Sequence, residues 1–207
     1  MRLRSVIVVL GLLVGLALPA RAGAPSEAAG FVDRLVGDAM ATVKDGGLTD
    51  QAREQRFDTL LRQGFDMPRI ARFVLGRYWS EASAEERSEF TALFEQWVVR
   101  SYAPRLAQYS SETVKVTGAR AEGDTDAVVS SQIVHQSGPP TRVEWRVSNR
   151  DGADKIVDIN VEGISMALTE RDQIAASIQR GGGTVAGVNR MLAERIRTGT
   201  AGATASR

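Results

Sequence analysis

Residues 65–79 read FDMPRIARFVLGRYW, and they carry the signals of a short helix with sharp ends. Asp66 can cap the helix by accepting backbone N–H bonds, and Pro68 fits the first turn, where its missing N–H costs nothing. Gly76 can adopt the left-handed conformation that ends a helix. Together these signals predict a helix over residues 67–75.

The surroundings of this helix combine aromatic and basic side chains. Phe65 and Ile70 have the spacing of a hydrophobic staple, which sets the angle at which the chain enters the helix. Arg69, Arg72 and Arg77 lie beside aromatic residues. The helix could be a lid over an apolar space near a headgroup boundary, or an ordinary core helix with solvated arginines. The stretch alone favours neither interpretation.

The N-terminus has the pattern of a secretory signal. Basic residues precede an apolar run over residues 6–18, and Ala20-Arg21-Ala22 is a small-x-small cleavage site. The run is too short for a comfortable membrane span. We therefore expect a signal peptide over residues 1–22, cleaved near Ala22-Gly23, and a protein that works in the periplasm.

Length and composition limit the class of protein. The chain has 207 residues, a formal net charge of +1 and no cysteine. We expect one domain over residues 23–197 and a disordered tail over residues 198–207. The balanced charge argues against nucleic-acid binding, and the lack of cysteine excludes disulfides and thiolate metal sites. The later apolar runs are only strand-length, so we expect a soluble protein, and a monomer.

The spacing of apolar residues predicts helices first and strands later. The predicted helices extend from Ser26 to Gly46, from Thr49 to Gln63, over 67–75, from a capping box at Ser83 to a kink or break at Pro104, from Thr169, and from Val185. The predicted strands lie around 114–117, 128–134, 142–147 and 155–161. The fold class is therefore α+β, with N-terminal helices and two C-terminal helices packed on a strongly twisted four-stranded antiparallel sheet.

Candidate nucleophilic and metal chemistry is weak in this sequence. Ser165 lies in Gly163-Ile164-Ser165-Met166-Ala167, which is close to a nucleophile elbow, but no histidine follows it as the hydrolase order requires. His135 is the only histidine, and without cysteine it has few soft partners for zinc. We expect the Ser165 hydroxyl to bond to nearby backbone and His135 to be an exposed residue at a strand end.

Asp154, Asp158 and Glu162 are the remaining acidic candidates, spaced by four along the last strand and its turn. On a strand this spacing favours one solvent-facing edge, although a carboxylate pair for acid–base work stays an alternative. The facing helices and strands also supply many apolar side chains. These could form a filled core or line a cavity, and periodicity does not separate the two cases.

The chain resembles the MlaC family of periplasmic phospholipid-binding proteins, also called the toluene-tolerance auxiliary family. Two long blocks carry the resemblance, FDMPRIARFVLGRYW at residues 65–79 and KIVDINVEGISM at residues 155–166. Shorter matches occur at Arg87, Phe90, Tyr102, Tyr109, Gly138-Pro139-Pro140 and Arg171. In order, the resemblance extends from about Phe31 to Leu192.

The resemblance implies a mixed α/β domain whose helices and curved sheet enclose a deep apolar cavity for acyl chains. It implies a carrier that exchanges phospholipid with an inner-membrane MCE-domain ABC-transporter complex and an outer-membrane lipoprotein–porin complex, and so maintains outer-membrane lipid asymmetry. It implies no catalytic residue, no cofactor and no metal site. A related branch is associated with hopanoid production, so a hopanoid-associated carrier is an alternative.

Periodicity placed inside that fold predicts the lining of the cavity, with no buried charge. The predicted lipid-binding residues are Phe73, Phe94, Val98, Tyr102, Val116, Val129, Val143, Trp145, Val147, Val157, Ile159 and Met166. The candidates for the entrance or for docking are Arg69, Arg72 and Arg77. A bulky polar residue at Val129 or Val147 is expected to remove bound lipid and leave the circular dichroism intact.

Two other classes of function remain open at this point. The predicted layout also resembles nuclear-transport-factor-like folds that host small-molecule isomerases. An enzyme of that kind would use Asp158 or Glu162 and would need an acidic group with a raised pKa inside the cavity. The third alternative is an interaction module with a filled core.

Overall fold

The structure, a computed structural model, describes residues 25–106 and 109–199. The predicted signal peptide lies outside the described residues, as does the predicted tail beyond Gly199. The helices are α1 (Pro25–Lys44), α2 (Asp50–Gly64), α3 (Met67–Leu75), α4 (Tyr78–Glu81), α5 (Ala84–Leu106), α6 (Met166–Arg180) and α7 (Val185–Thr198). The strands are β1 (Thr113–Glu122), β2 (Asp126–Val134), β3 (Thr141–Ser148), β4 (Lys155–Val161) and β5 (Ile164–Ser165).

The predicted ends of α3 are confirmed. The Asp66 side chain accepts a hydrogen bond from the backbone N–H of Arg69 at 3.0 Å, and Pro68 lies in the first turn. Gly76 ends the helix with φ 56° and ψ −125°, a conformation that residues with a Cβ rarely adopt. The Arg171 guanidinium packs against Gly76, where an added Cβ would lie 3.0 Å from it. Gly76 is therefore required for the turn, whereas the end of the flexible Arg171 side chain could move aside for an added methyl group.

Gly76→Ala is expected to lower the free energy of unfolding by about 1–3 kcal/mol, because alanine is strained at this positive φ in the folded state. The matched control is Gly37→Ala, which adds the same methyl group in the middle of α1 with nothing within 4 Å. The control should be neutral or stabilising by up to about 1 kcal/mol. Urea unfolding measures both, and equal effects of the two substitutions would contradict the strain at Gly76.

The sheet is an antiparallel meander in the order β1-β2-β3-β4-β5. It has five strands rather than the four expected, because a tight turn at Glu162 and Gly163 lets Ile164 pair back with Val161. Both turn residues have positive φ, 49° and 86°. Positive φ at both central residues is typical of the type I′ turns that connect two-residue β-hairpins. The α+β fold class is otherwise confirmed.

Two apolar clusters hold the layers together. The larger cluster contains residues from each of the six helices α2 through α7. It includes the stacked rings of Phe90 and Phe94, whose centroids are 5.6 Å apart. The smaller cluster lies between α1 and the sheet and contains Val32 and Val129. Phe65, just before α3, packs against both clusters. In the described part of the chain, no helix is both long enough and apolar enough to cross a membrane.

Helix boundaries agree with the sequence in some places and differ in others. The capping box at Ser83 forms as expected, with reciprocal hydrogen bonds of 2.8 and 3.1 Å to Glu86. α5 ends two residues beyond Pro104. The start of α6 was predicted at Thr169 and is wrong by one turn, because the Ser165 side chain caps a helix that begins at Met166.

Candidate functional site

An apolar cavity of about 130 Å³ lies between α3, α5, α6 and β4 and opens to the surface. Half of the predicted lining residues surround it: Phe94, Val98, Tyr102, Val157, Ile159 and Met166. The lining residues that were not predicted are Phe65, Met67, Ile70, Asp158, Ala167 and Glu170. The lining is thus mostly aliphatic and aromatic, which suits a ligand with a large apolar surface.

Backbone pairing fixes α3 over β4. Phe65 forms a parallel β-bridge with Ile156, and the Asp66 backbone N–H donates to the Ile156 carbonyl oxygen at 3.0 Å. A register shift between β3 and β4 leaves Val157 without a cross-strand partner, which makes it a β-bulge. A bulge bends its strand and redirects side chains locally. Val157 and Ile159, two residues apart on β4, both line the cavity.

Asp158 fixes the start of α6 against β4. One carboxylate oxygen accepts from the Ser165 hydroxyl at 2.7 Å, and the other accepts from the Ala167 backbone N–H at 3.0 Å. The Ser165 hydroxyl oxygen accepts in turn from the Leu168 backbone N–H at 3.0 Å, as an N-cap. This bonding agrees with the expectation that Ser165 binds nearby backbone. Asp158 is therefore a positioning residue, and both of its oxygens are used.

Glu170, which is not among the predicted lining residues, is a buried ionisable group in the cavity wall. Glu170 is 5% exposed, and its Oε1 accepts from the Tyr102 hydroxyl at 2.8 Å. Burial raises the pKa of Glu170, although the Tyr102 hydrogen bond and the charge of Arg105 act in the opposite direction. Burial also raises the pKa of Tyr102, with Glu170 adding to the effect. The pair is thus tuned towards its neutral form.

Glu170→Gln is expected to make the melting temperature less dependent on pH. A carboxyl whose folded pKa is raised holds a proton that the unfolded chain releases first, so wild-type stability falls as pH rises above the unfolded pKa of about 4.3. The variant should match wild type near about pH 4 and exceed it near about pH 8, because the amide cannot ionise. Exposed Glu81→Gln is the control, and a Glu170→Gln protein that keeps the full pH dependence would contradict the burial argument.

The other predicted lining residues lie elsewhere. Val116, Val129, Trp145 and Val147 belong to the cluster between α1 and the sheet. Val143 is buried on β3, and Phe73 is 43% exposed on the outside of α3, with the Arg171 guanidinium 5.1 Å from its ring centroid. A bulky polar residue at fully buried Val129 or Val147 would disrupt the packing of α1 on the sheet, so the circular dichroism would not stay intact. Val98, which lines the cavity, is the better position for a test of lipid binding.

The candidate arginines have different surroundings. Arg69 donates to the Ser148 hydroxyl at 2.7 Å and lies 3.8 Å from the Asp126 carboxylate, so it ties α3 to the sheet. Arg77 donates to the Tyr78 hydroxyl at 2.8 Å, and Arg72 is exposed. Arg72 and Arg77 are exposed on the surface, so a docking partner or a lipid headgroup could reach their side chains.

The other candidates for chemistry have local roles. His135 is half-buried, with Nε2 2.8 Å from the Thr141 hydroxyl and Nδ1 3.3 Å from the Glu112 carboxylate. Glu162 is exposed and accepts from the Arg142 backbone N–H. Within residues 25–106 and 109–199, no group of three or more histidine, aspartate or glutamate side chains is placed to hold a metal ion.

Glu170 could have been found from the sequence by helical spacing. Ala167, Glu170 and Ile174 are separated by three and four residues, which places them on one face of α6. The helix predicted from Thr169 does not include Ala167, so the prediction contains only part of this spacing. Met67 and Ile70 similarly share a face of α3, but nothing in their spacing distinguishes a cavity wall from a filled core.

Comparison with known proteins identifies the family. The family model described as MlaC protein matches residues 33–194. The chain is similar to the toluene tolerance protein ttg2D of Pseudomonas putida, with 26% identity over 74% of this chain and 72% of that protein. It is also similar to the intermembrane phospholipid transport system binding protein MlaC of Haemophilus influenzae, with 29% identity over 45% of each chain.

A solved structure has the same fold. The phospholipid-binding protein from Ralstonia solanacearum, in complex with a phospholipid, superposes with a TM-score of 0.74 and 30% identity. The match covers 84% of this chain and 98% of that one. Because the family match extends over most of the chain and the fold agrees, this protein belongs to the MlaC family.

Proposed function

We propose that the protein is a periplasmic phospholipid carrier. It would receive or deliver lipid at an inner-membrane MCE-domain ABC-transporter complex and at an outer-membrane lipoprotein–porin complex. The observation that carries the proposal is the apolar cavity between α3, α5, α6 and β4, in a fold shared with a protein solved with bound phospholipid. The names of two relatives, a phospholipid transport binding protein and a toluene tolerance protein, support the same function.

The energetics explain why such a carrier needs an apolar interior. Each methylene exposed to water costs about 0.8 kcal/mol, so a sixteen-carbon chain costs on the order of 13 kcal/mol. A lipid therefore crosses an aqueous compartment only if a protein replaces most of its contact with the bilayer. Many weak apolar contacts serve this purpose better than a few strong polar ones, because the lipid must also be released.

The size of the cavity implies that its walls move when lipid enters. Pockets for ordinary organic ligands measure roughly 300–1,000 Å³, whereas this cavity measures about 130 Å³. The lining includes Met67 and Met166, whose flexible thioether side chains repack readily. Val98 is only half-buried, so its side chain has room to move when lipid enters. Widening by side-chain movement is therefore part of the proposal.

A specific observation also favours a second candidate, a small-molecule enzyme. Glu170 is an acidic group with a raised pKa in the cavity, as an isomerase of the nuclear-transport-factor-like kind would need. Asp158 and Glu162 do not fit that role, because hydrogen bonds occupy both Asp158 oxygens and Glu162 is exposed. The carrier remains the first candidate because the wall around Glu170 is mostly apolar and hydrogen bonds occupy both oxygens of Asp158, which leaves little to orient a polar substrate.

Mass spectrometry of the organic extract from protein purified from its native compartment tests the proposal. A phospholipid in near-stoichiometric amount would support the phospholipid carrier. A hopanoid would instead indicate a carrier of the related, hopanoid-associated branch. A small polar metabolite would favour the enzyme instead. Protein that contains no lipid and no metabolite, and that takes up no phospholipid from vesicles, would contradict the proposal and favour a filled core.

A further inference from the structure

The cavity contains a carboxyl group whose hydrogen bonding is incomplete. Glu170 Oε1 accepts from Tyr102, but Oε2 is buried and has no hydrogen-bond partner among the described residues. A buried polar atom without a partner is costly, and such atoms are uncommon in native proteins. Asp158, the other carboxylate in the wall, has both oxygens occupied. Glu170 Oε2 is therefore a buried atom beside the cavity with spare capacity to bind a ligand once the walls widen.

The surroundings of Glu170 define the chemistry of that ligand. α5 contributes Tyr102 and Arg105, β4 contributes Asp158, and α3 faces the cavity with Met67 and Ile70. Burial outweighs the charge of Arg105 and favours the neutral carboxyl. A neutral carboxyl whose Oε1 is already occupied presents an O–H donor at Oε2. Its best partner in an apolar pocket is an uncharged acceptor.

Phospholipids carry such an acceptor where the acyl chains begin. The ester carbonyl is uncharged, has no hydrogen to donate and lies between the chains and the headgroup. We propose that the Glu170 carboxyl, positioned by the Tyr102 hydroxyl, donates a hydrogen bond to an acyl ester carbonyl of the bound lipid. The inference deepens the proposed carrier function and depends on it, and it makes Glu170 a specificity-determining residue for ester-linked over ether-linked lipids.

Matched diacyl and dialkyl phosphatidylethanolamines, with equal chain lengths, test the proposal by competition for the full-length protein. Wild type should prefer the ester lipid by about two- to tenfold, the value of one neutral hydrogen bond. Glu170→Leu should bring the ratio close to one. Glu170→Gln should keep much of the preference, because its amide N–H₂ still donates. Tyr102→Phe should weaken the preference by releasing Glu170.

The same design separates the inference from the carrier function. If wild type binds both lipids equally, the inference fails and the carrier stands; if it binds neither, the carrier fails. A preference that persists in folded Glu170→Leu would overturn the role of Glu170. Loss of discrimination between ethanolamine and glycerol headgroups in that variant, with the ester preference unchanged, would assign the carboxylate to an amine and also overturn it. Raising the pH should weaken the ester preference of wild type but not that of Glu170→Gln.

Discussion

Val98→Trp is expected to reduce the phospholipid that co-purifies with the protein by at least about tenfold, which corresponds to about 1.4 kcal/mol of lost binding. Val98 lies on α5 in the cavity wall and is half-buried. An indole ring can turn into the cavity of about 130 Å³ and occupy the space that acyl chains need. Val98 is half-buried beside this cavity rather than fully buried in the core, so the larger ring should be accommodated without unfolding.

Gln96→Trp is the matched control for this substitution. Gln96 is exposed on another face of the same helix, so the control adds the same ring without reaching the cavity. Lipid content from quantitative mass spectrometry and circular dichroism should both match wild type. If Val98→Trp keeps its lipid while folded, or if both variants lose it equally, acyl chains are not held against α5.

Phe90→Ala is expected to lower the free energy of unfolding by about 3–5 kcal/mol, the largest stability effect that we predict. Phe90 is fully buried, and its ring stacks on Phe94 with an interplanar angle of 11°. The cluster around it joins α5 to the other helices of the larger core. Truncation leaves a void in a packed interior that can relax only in part.

Phe73→Ala provides the comparison within the same residue type. Phe73 is 43% exposed, and the Arg171 guanidinium lies over its ring. A cation–π contact of this kind is worth about 0.5–1 kcal/mol at an exposed site. Urea unfolding of both variants should separate them by at least about 2 kcal/mol. Similar losses would contradict the assignment of Phe90 to the core and Phe73 to the surface.

Much of the fold could be predicted because local signals agreed with one another. Asp66, Pro68 and Gly76 define α3 from within fifteen residues of sequence, and the capping box at Ser83 defines the start of α5. Alternation over residues 142–147 identifies β3 and the face that it buries. The fifth strand was missed because two residues are too few to show a period, and its pairing depends on the positive φ of Glu162 and Gly163.

The cavity could be predicted only in part, because a periodic pattern shows which residues share a face but not what covers it. Val129 and Ile159 lie on the same face of the sheet, yet Val129 is fully buried in the cluster under α1, whereas Ile159 packs against that cluster and also lines the cavity. Phe73 follows Ile70 by one helical turn but turns out to the surface. Such differences arise from the placement of whole helices, which depends on contacts far apart in the sequence.

Photo-crosslinking with a phospholipid that carries a diazirine near the end of one acyl chain tests the location of the lipid. After irradiation of the loaded protein, digestion and mass spectrometry map the attached residues. We expect crosslinks on the four elements around the cavity, at residues such as Ile70, Val98, Ile159 and Met166. Crosslinks confined to α1 and the sheet around Val129, or to exposed Phe73, would contradict an acyl-chain site between α3, α5, α6 and β4.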